Sequence, residues 1–378
     1  MQNNSTHAMF PDATHDEQAM QSFIKTLRVH VLREFQSSGR SLLESRIEPA
    51  IRKVNRDRPP TRKQLREAFA RFPSHQAWSS MLRVTQEMLY DTVGPSIERQ
   101  LPDLISRAQA LHGKRGSLTL DPDLELPRYL TAVDIHSKPG SYQQELAPDD
   151  LFAGAEFDRT YRLYSMGING PNLDAGGWSL IAWIKRRYPD FRPKRILDMG
   201  CTVGHSTLPY ARAFGDDVEV HAIDVAAPCL RYAHARAVAM DETVHFSQQN
   251  AEHTNFADGS FDLVVSHLLM HETSRTGLRN VVAESRRLLA PGGVMAHADG
   301  IQPADLFQKY YAEWMAHFNN EPFLGSIQDE DFMEICLGAG FRHADCVVGR
   351  APLWRPDLDP DRASETSFLV ASARLPLA

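Results

Sequence analysis

The 378-residue chain carries 41 lysines and arginines against 48 aspartates and glutamates, a formal charge of −7. At 42% hydrophobic and 24% charged it has the apolar material for a packed core and lacks the charge excess of a disordered chain. No stretch approaches the roughly 18 apolar residues of a membrane span, the start MQNNSTHAMFPDATHDEQ lacks a leader pattern, and the four cysteines (Cys201, Cys229, Cys336, Cys346) show no CxxC spacing, so a cytoplasmic protein with reduced thiols is expected.

Residues 16–112 repeat apolar side chains at three- and four-residue steps, which predicts four or five helices broken at Gly39, Pro59-Pro60, Pro73 and Gly94-Pro95. Between Gln21 and Phe72, 13 basic residues face five acidic ones, a local balance of 13 − 5 = +8. Such a block can mark an RNA, membrane-surface or acidic-carrier contact. Here it is interleaved with Phe23, Ile24, Leu27, Val31, Leu32 and Phe35 at helical spacing and no nucleic-acid motif accompanies it, which favours solvated helix faces. From Gly113 to Gly177, closely spaced glycines and prolines predict connecting and lid-like structure.

Beyond Trp178, helix and strand alternate as a parallel sheet with crossover helices requires. Strands are expected at 195–199, 218–224, 244–248, 261–266 and 294–299, with helices at 179–188, 206–214, 228–240 and 278–289 between them. A further helix is expected at Leu306–Phe318, a last one near Asp329–Leu337, and closing strands at 341–349 and 367–375. The chain thus divides into a helical region (1–130), a connecting and lid segment (131–177) and an α/β domain (178–378) with a helical insertion at 302–321.

The strongest signal is ILDMGCTVGHST, Ile196–Thr207: a buried strand ending in Asp198 runs into a turn with Gly200 and Gly204 and then into a helix, which brings backbone N–H groups close to a ligand. Asp224 ends the next strand, about 20 residues on, where an acid can accept from two ribose hydroxyls. Then follow Asn250-Ala251-Glu252, DGSFDLVVSHLLMHE (258–272) and RRLLAPGGVM (286–295). A dinucleotide-binding dehydrogenase would need a third glycine in the turn and gives the PGG no role.

These motifs, in this order, resemble the class I S-adenosylmethionine-dependent methyltransferases, most closely their ubiquinone/menaquinone-biosynthesis-like (type 11) branch. The resemblance is strong over Arg195–Asp299, loose over Trp178–Leu375 and absent from residues 1–130. It implies a Rossmann-like seven-stranded sheet, S-adenosylmethionine as cofactor and S-adenosylhomocysteine as product. It further implies a cofactor site at Asp198, Gly200, Cys201, Thr202, Gly204, Asp224, Val225, Asn250, Ala251, Ser266 and His267. Two positions depart from the family pattern. Thr202 replaces the usual middle glycine, so its loop is expected to avoid positive φ. Asn250 replaces the usual carboxylate, although its amide oxygen can accept from an adenine amino group.

A hydroxyl, amine or carbon acid must lose a proton to be methylated, which makes histidine the natural candidate base. His267 and His271 follow the fourth strand, and a helix there would put both on one face. Histidine at the position of His271 is frequent in the resembling family across unrelated substrates, so His267 is the better candidate for contact with cofactor or substrate. With Glu272 the pair reads HxxxHE, which matches neither HExxH nor its inversion, and no metal is expected. Lid candidates are Tyr161, Tyr164 and Trp178, whose faces could meet a sulfonium through cation–π contact, and Tyr311 and Trp314 of the insertion, whose aromatic face also suits a core or a homodimer contact. The expected activity is methyl transfer to a small molecule of biosynthetic or secondary metabolism. The alternatives are an RNA or protein methyltransferase served by the basic block, or a cofactor-binding regulatory protein without turnover.

Overall fold

The computed structural model describes residues 7–215, 217–300, 303, 305–358 and 366–377. The N-terminal region is helical: α1 (His15–Leu42) continues through a π-helical turn at Leu43–Ile47 into α2 (Glu48–Val54), then α3 (Arg62–Phe69), α4 (Pro73–Glu98) and α5 (Leu101–Leu111). Thr14 and Thr61 open α1 and α3 with reciprocal capping boxes to Glu17 and Gln64, each side chain satisfying an N–H that the helix cannot. Two expected breaks are absent. Gly39 lies inside α1, packed on the Phe35 ring, and Pro95 falls in the last turn of α4, where it forfeits a single intrahelical N–H bond.

Next come β1 (Ser117–Thr119), α6 (Arg128–Thr131), α7 (Phe152–Tyr164) and α8 (Ala175–Arg187). The α/β portion then runs β2 (Arg195–Met199), α9 (Leu208–Phe214), β3 (Glu219–Asp224), α10 (Ala227–Ala239), β4 (His245–Gln248), β5 (Phe261–His267), α11 (Arg275–Leu288) and β6 (Leu289–Asp299). The insertion holds α12 (Leu306–Phe318) and α13 (Leu324–Ile327), followed by α14 (Phe332–Gly338), β7 (Cys346–Pro352) and β8 (Ser367–Arg374). Residues 302 and 304, at the expected start of the insertion, lie outside the described residues, as do 1–6 of the helical region.

The sheet has eight strands in the order β1-β4-β3-β2-β5-β6-β8-β7, one more than the seven expected. The additional strand is β1, which the helical region contributes in parallel to β4 through Ser117–His245 to Thr119–Ser247. Strands β2 to β6 are parallel, and β8 is antiparallel to both β6 and β7. Both faces are covered, which is why β2 and β5 read as nearly continuous apolar runs. The order reverses direction at β2, so the carboxyl ends of β2, β3 and β5 open a crevice at the switch point. Among the described residues no helix is long and apolar enough to cross a membrane.

The helical region and the insertion share one core. Phe35, Phe69, Phe307, Tyr310 and Trp314 are buried together, with Trp314 centred 4.0 Å from Phe35 and Tyr310 stacked 4.5 Å from Phe69. Trp314 Nε1 donates to Ser79 Oγ at 2.8 Å and Tyr310 Oη meets His75 Nε2 at 2.6 Å, so each ring's polar end is satisfied inside the core. Tyr311 lies at the edge of this cluster, partly buried. The aromatic face of α12 is therefore an intrachain core. Part of the basic block is also spent here: Arg40 pairs with Asp305, Arg62 with Glu313 and Asp329, and Arg66 with Glu313.

Replacing Trp314 by alanine should cost about 3–5 kcal/mol, the range for a buried aromatic, read as a lower urea midpoint. A loss below about 1 kcal/mol would mean that α12 is not packed on α1 and α4.

Candidate active site

The carboxyl ends of β2 to β5 open onto a cavity of about 450 Å³, within the size range of small-molecule sites. Its floor is the loop after β2. Gly200 adopts φ +73°, which L side chains rarely adopt, and a Cβ there would lie 2.7 Å from Leu269 Cδ1, so that leucine would have to shift. Thr202 also has positive φ, +49°, contrary to the expectation that a Cβ would keep the loop out of that region. The left-handed conformation costs a non-glycine residue about 1–2 kcal/mol, and the Thr202 N–H donating to Asp224 Oδ2 at 2.9 Å helps to hold it. Asp224 Oδ1 accepts from the Ala226 N–H at 2.9 Å. Burial raises the pKa of Asp224 against the opposing backbone N–H groups of Ala226, Thr202 and Val225.

Gly200, Cys201, Thr202, Asp224, Val225, Asn250, Ala251, His267, His271, Tyr161 and Tyr164 all line the cavity. Asn250 Oδ1 already accepts from the Glu252 N–H at 2.9 Å, so its oxygen is shared rather than free.

Other expected residues do not line it. Asp198 is 1% exposed and lies behind the loop, where Thr207 Oγ1 donates to its Oδ2 at 2.6 Å; burial pushes its pKa up to about 7. Gly204 sits against Phe246. Ser266 points to the opposite face of β5 and hydrogen-bonds His297 Nδ1 at 2.7 Å, because adjacent strand residues face opposite ways and His267 takes the cavity side. Trp178 packs edge-on to Trp354, and Tyr311 and Trp314 belong to the α1/α4/α12 core.

The segment after β5 is not an α-helix. Leu268 turns with φ +60° and Met270–Glu272 form one 3₁₀ turn, so the two histidines have separate surroundings. His267 packs edge-on to Phe368 at 4.7 Å, and its Nε2 has no hydrogen-bond partner. Its ring occupies the space where a Cβ on Gly176 would lie, 2.3 Å from Cε1. Burial lowers its pKa to about 4, so it is neutral at pH 7 and a weak base. His271 is the opposite: its Nδ1 lies 2.6 Å from Asp299 Oδ1, and that carboxylate outweighs burial and raises the pKa to about 9. It is a cation and proton donor at neutral pH.

The sequence reading overlooked the lid end of the cavity. His136 Nε2 lies 3.0 Å from Glu272 Oε1 and its Nδ1 lies 3.3 Å from Glu321 Oε1. Burial opposes the charge, but the two carboxylates outweigh it and hold the imidazolium well above its usual pKa. Tyr142 Oη donates to the same Glu272 oxygen at 3.3 Å. The connecting segment was expected to be lid-like, but nothing local pointed to His136 or to Glu321, 185 residues further on.

Residues 196–293 match a family model described as "Methyltransferase domain". They form a class I S-adenosylmethionine-dependent methyltransferase domain. Over 146 residues the chain is 28% identical to a ubiquinone/menaquinone biosynthesis C-methyltransferase of Teredinibacter turnerae, covering 36% of this chain and 55% of that one. Over 120 residues it is 33% identical to an O-methyltransferase of Aspergillus nomiae, covering 31% and 51%. The chain thus spans about half the length of each of these relatives. Among solved structures, a Haemonchus contortus phosphoethanolamine N-methyltransferase 2 aligns over 58% of each chain at 20% identity and a TM-score of 0.42.

The methyltransferase domain's residues fit its cofactor. Asp224 offers paired acceptors, the Gly200–Thr202 loop brings backbone close, and among the described residues no lysine or arginine lines the cavity, which suits a ligand bearing a sulfonium and an ammonium.

His75, His205, His267 and His297 are each lowered to about 4, chiefly by burial. Unfolded histidine takes its proton near 6.5, so their contribution to stability is present above 6.5 and is lost as pH falls toward 4. His271, raised to about 9, contributes fully below 6.5 and loses its contribution as pH rises through 9. Urea midpoints measured from pH 4.5 to 9.5 should therefore fall on both sides of neutrality; a flat profile would contradict these buried protonation states.

Proposed function

We propose that the protein transfers a methyl group from S-adenosylmethionine to a small-molecule acceptor held in this cavity. The observation that carries the reading is the cavity's composite wall. Cofactor-type residues at the ends of β2 to β4 (Gly200, Asp224, Asn250) are continuous with a lid end contributed by Tyr90 of α4, Tyr161 of α7 and Met315 of α12. An acceptor that fits under these helices is limited in size. The basic block, partly paired with acids of the insertion, gives no specific support to a nucleic-acid acceptor.

When bound, the cofactor supplies a methyl group on a sulfonium, whose transfer is an in-line displacement. The chain's task is mainly positioning, since holding a nucleophile at about 3–3.5 Å from its target can supply much of the barrier reduction. In this reading Asp224 holds the ribose and the Gly200–Thr202 backbone sets the depth of the cofactor. The helical lid excludes water, which strengthens electrostatic interactions inside. His271, already protonated against Asp299, orients by donating and does not serve as general base. His267, neutral and unpartnered, shapes the wall where acceptor and cofactor meet.

Removing the ribose acceptor in Asp224→Ala should weaken S-adenosylhomocysteine binding by calorimetry about 10- to 150-fold, the worth of hydrogen bonds to a charged group. Unchanged affinity would remove the site. Labelled methyl transferred in a cell extract should appear in the small-molecule filtrate; label confined to the macromolecular retentate would overturn the choice of acceptor.

A further inference from the structure

The lid end of the cavity holds more hydrogen-bond acceptors than donors, and its orphaned groups are specific. Gln86 is 1% exposed, and its Nε2 donates to the His136 carbonyl at 2.6 Å. A carbonyl can only accept, so the amide's orientation is fixed. Its Oε1 is left buried with no partner, and burying such a group unpaired costs about 1–3 kcal/mol. Beside it, Glu321 uses Oε1 for His136 Nδ1 and for Asn319 Nδ2 at 3.2 Å. Glu272 uses Oε1 for His136 and Tyr142. Neither carboxylate spends Oε2 on a hydrogen bond among the described residues.

These acceptors sit in a charged network. His136, flanked by two carboxylates, and His271, bonded to Asp299, face the three carboxylates Glu272, Glu321 and Asp299, and the buried Arg28 guanidinium joins them from behind, donating to Asn319 Oδ1 at 2.8 Å and lying over the Tyr164 ring. Among the described residues none of these cations hydrogen-bonds Gln86 Oε1, and no lysine or arginine lines the wall itself. The remaining surface is largely apolar, with Tyr90, Tyr142 and Tyr161 among its aromatic residues.

We propose that this lid end is an acceptor subsite for a small amine with an apolar body, a reading that rests on the methyl-transfer function above. A carboxylate or phosphate ligand would bring further acceptors to Gln86 Oε1, Glu272 Oε2 and Glu321 Oε2. An alcohol offers one hydrogen where these three acceptors wait. An ammonium group supplies several donors, and its hydrogen bonds to a carboxylate are charge-assisted, while its apolar body lies among the tyrosines.

The chemistry balances. The bound ammonium gives one proton to a carboxylate of the Glu272/Glu321 pair, and from there to water. The freed nitrogen lone pair forms the new N–C bond while the C–S bond breaks with its electron pair going to sulfur. Sulfur ends as an uncharged thioether and nitrogen as the methylated ammonium.

The test is calorimetry with three probes that share a ring and differ in one group, 2-phenylethylamine, 2-phenylethanol and phenylacetate, at pH 7.5 with and without saturating S-adenosylhomocysteine. The amine should bind at least about tenfold tighter than the alcohol, and phenylacetate should not bind measurably. Glu321→Gln and, as a second variant with no change of charge, Gln86→Met should each weaken amine binding about tenfold. Equal or tighter binding of the alcohol or the acid, binding of none of the three, or full amine preference in both folded variants would overturn the proposal. Failure of S-adenosylhomocysteine itself to bind would instead sink the methyl-transfer reading, and the titrations without it would still decide the subsite.

Discussion

The His136 imidazolium, held between Glu272 and Glu321, is the interaction on which the cavity depends. It joins three segments that have no neighbouring sequence: the connecting region, the loop after β5 and the chain just past α12. Burying a charge costs several kcal/mol unless it is paired and hydrogen-bonded. The three segments are therefore tied together as a set, because withdrawing any one leaves an uncompensated charge in the interior. The backbone adapts to this demand: His136 is held at φ +58°, and Gln86 and Asn320 reach across to neighbouring carbonyls to fix the turn.

Around that link the lid is built mostly from apolar packing. The aromatic cluster of Phe35, Phe69, Tyr310 and Trp314 supplies the bulk of what holds α12 on the N-terminal helices. The arginine pairs with Asp305, Glu313 and Asp329 lie at partly exposed positions where each is worth at most about 1 kcal/mol. They give the docking its register more than its strength. A second junction, at Asp158 of α7, ties His7 to the loop after β2 and to α10: its carboxylate meets His7, His205 and Tyr232 at 3.1, 2.9 and 2.7 Å. His205 also lines the cavity, so the N-terminal region is wired to the site at both ends.

The half of the cavity formed by the ends of β2 to β4 was legible in the sequence because it is local. A strand, a tight turn and an acid about 20 residues later carry their meaning within one βαβ unit, and Asp224, Gly200 and Thr202 do line the cavity. The core strands were legible because strands buried on both faces must be apolar throughout. β1 was not, being three residues long with both terminal residues exposed, too short to show any period. Ser266 was misplaced because a motif names neighbouring residues without saying which faces the crevice; the alternation of the strand decides that in favour of His267. The positive φ of Thr202 was hidden because a hydrogen bond donated to Asp224, at the end of another strand, helps to sustain it. Of the lid end the sequence showed the aromatic residues Tyr161 and Tyr164 but not the polar network, since Gln86, His136, Glu272 and Glu321 become neighbours only when the helices dock.

The methyltransferase domain thus supplies the floor of the cavity, and the N-terminal helices, the connecting segment and the insertion supply its roof. Protonation divides the labour between the two histidines after β5: one is kept neutral by burial, the other charged by Asp299. The most direct measurement is a crystal structure of the protein grown with S-adenosylhomocysteine. The ribose hydroxyls should lie against Asp224, with the adenine at Asn250–Ala251 and the lid end open beyond the sulfur. A ligand bound outside this cavity, or a cavity closed by the side chains of the β2 loop, would contradict the assignment of the site.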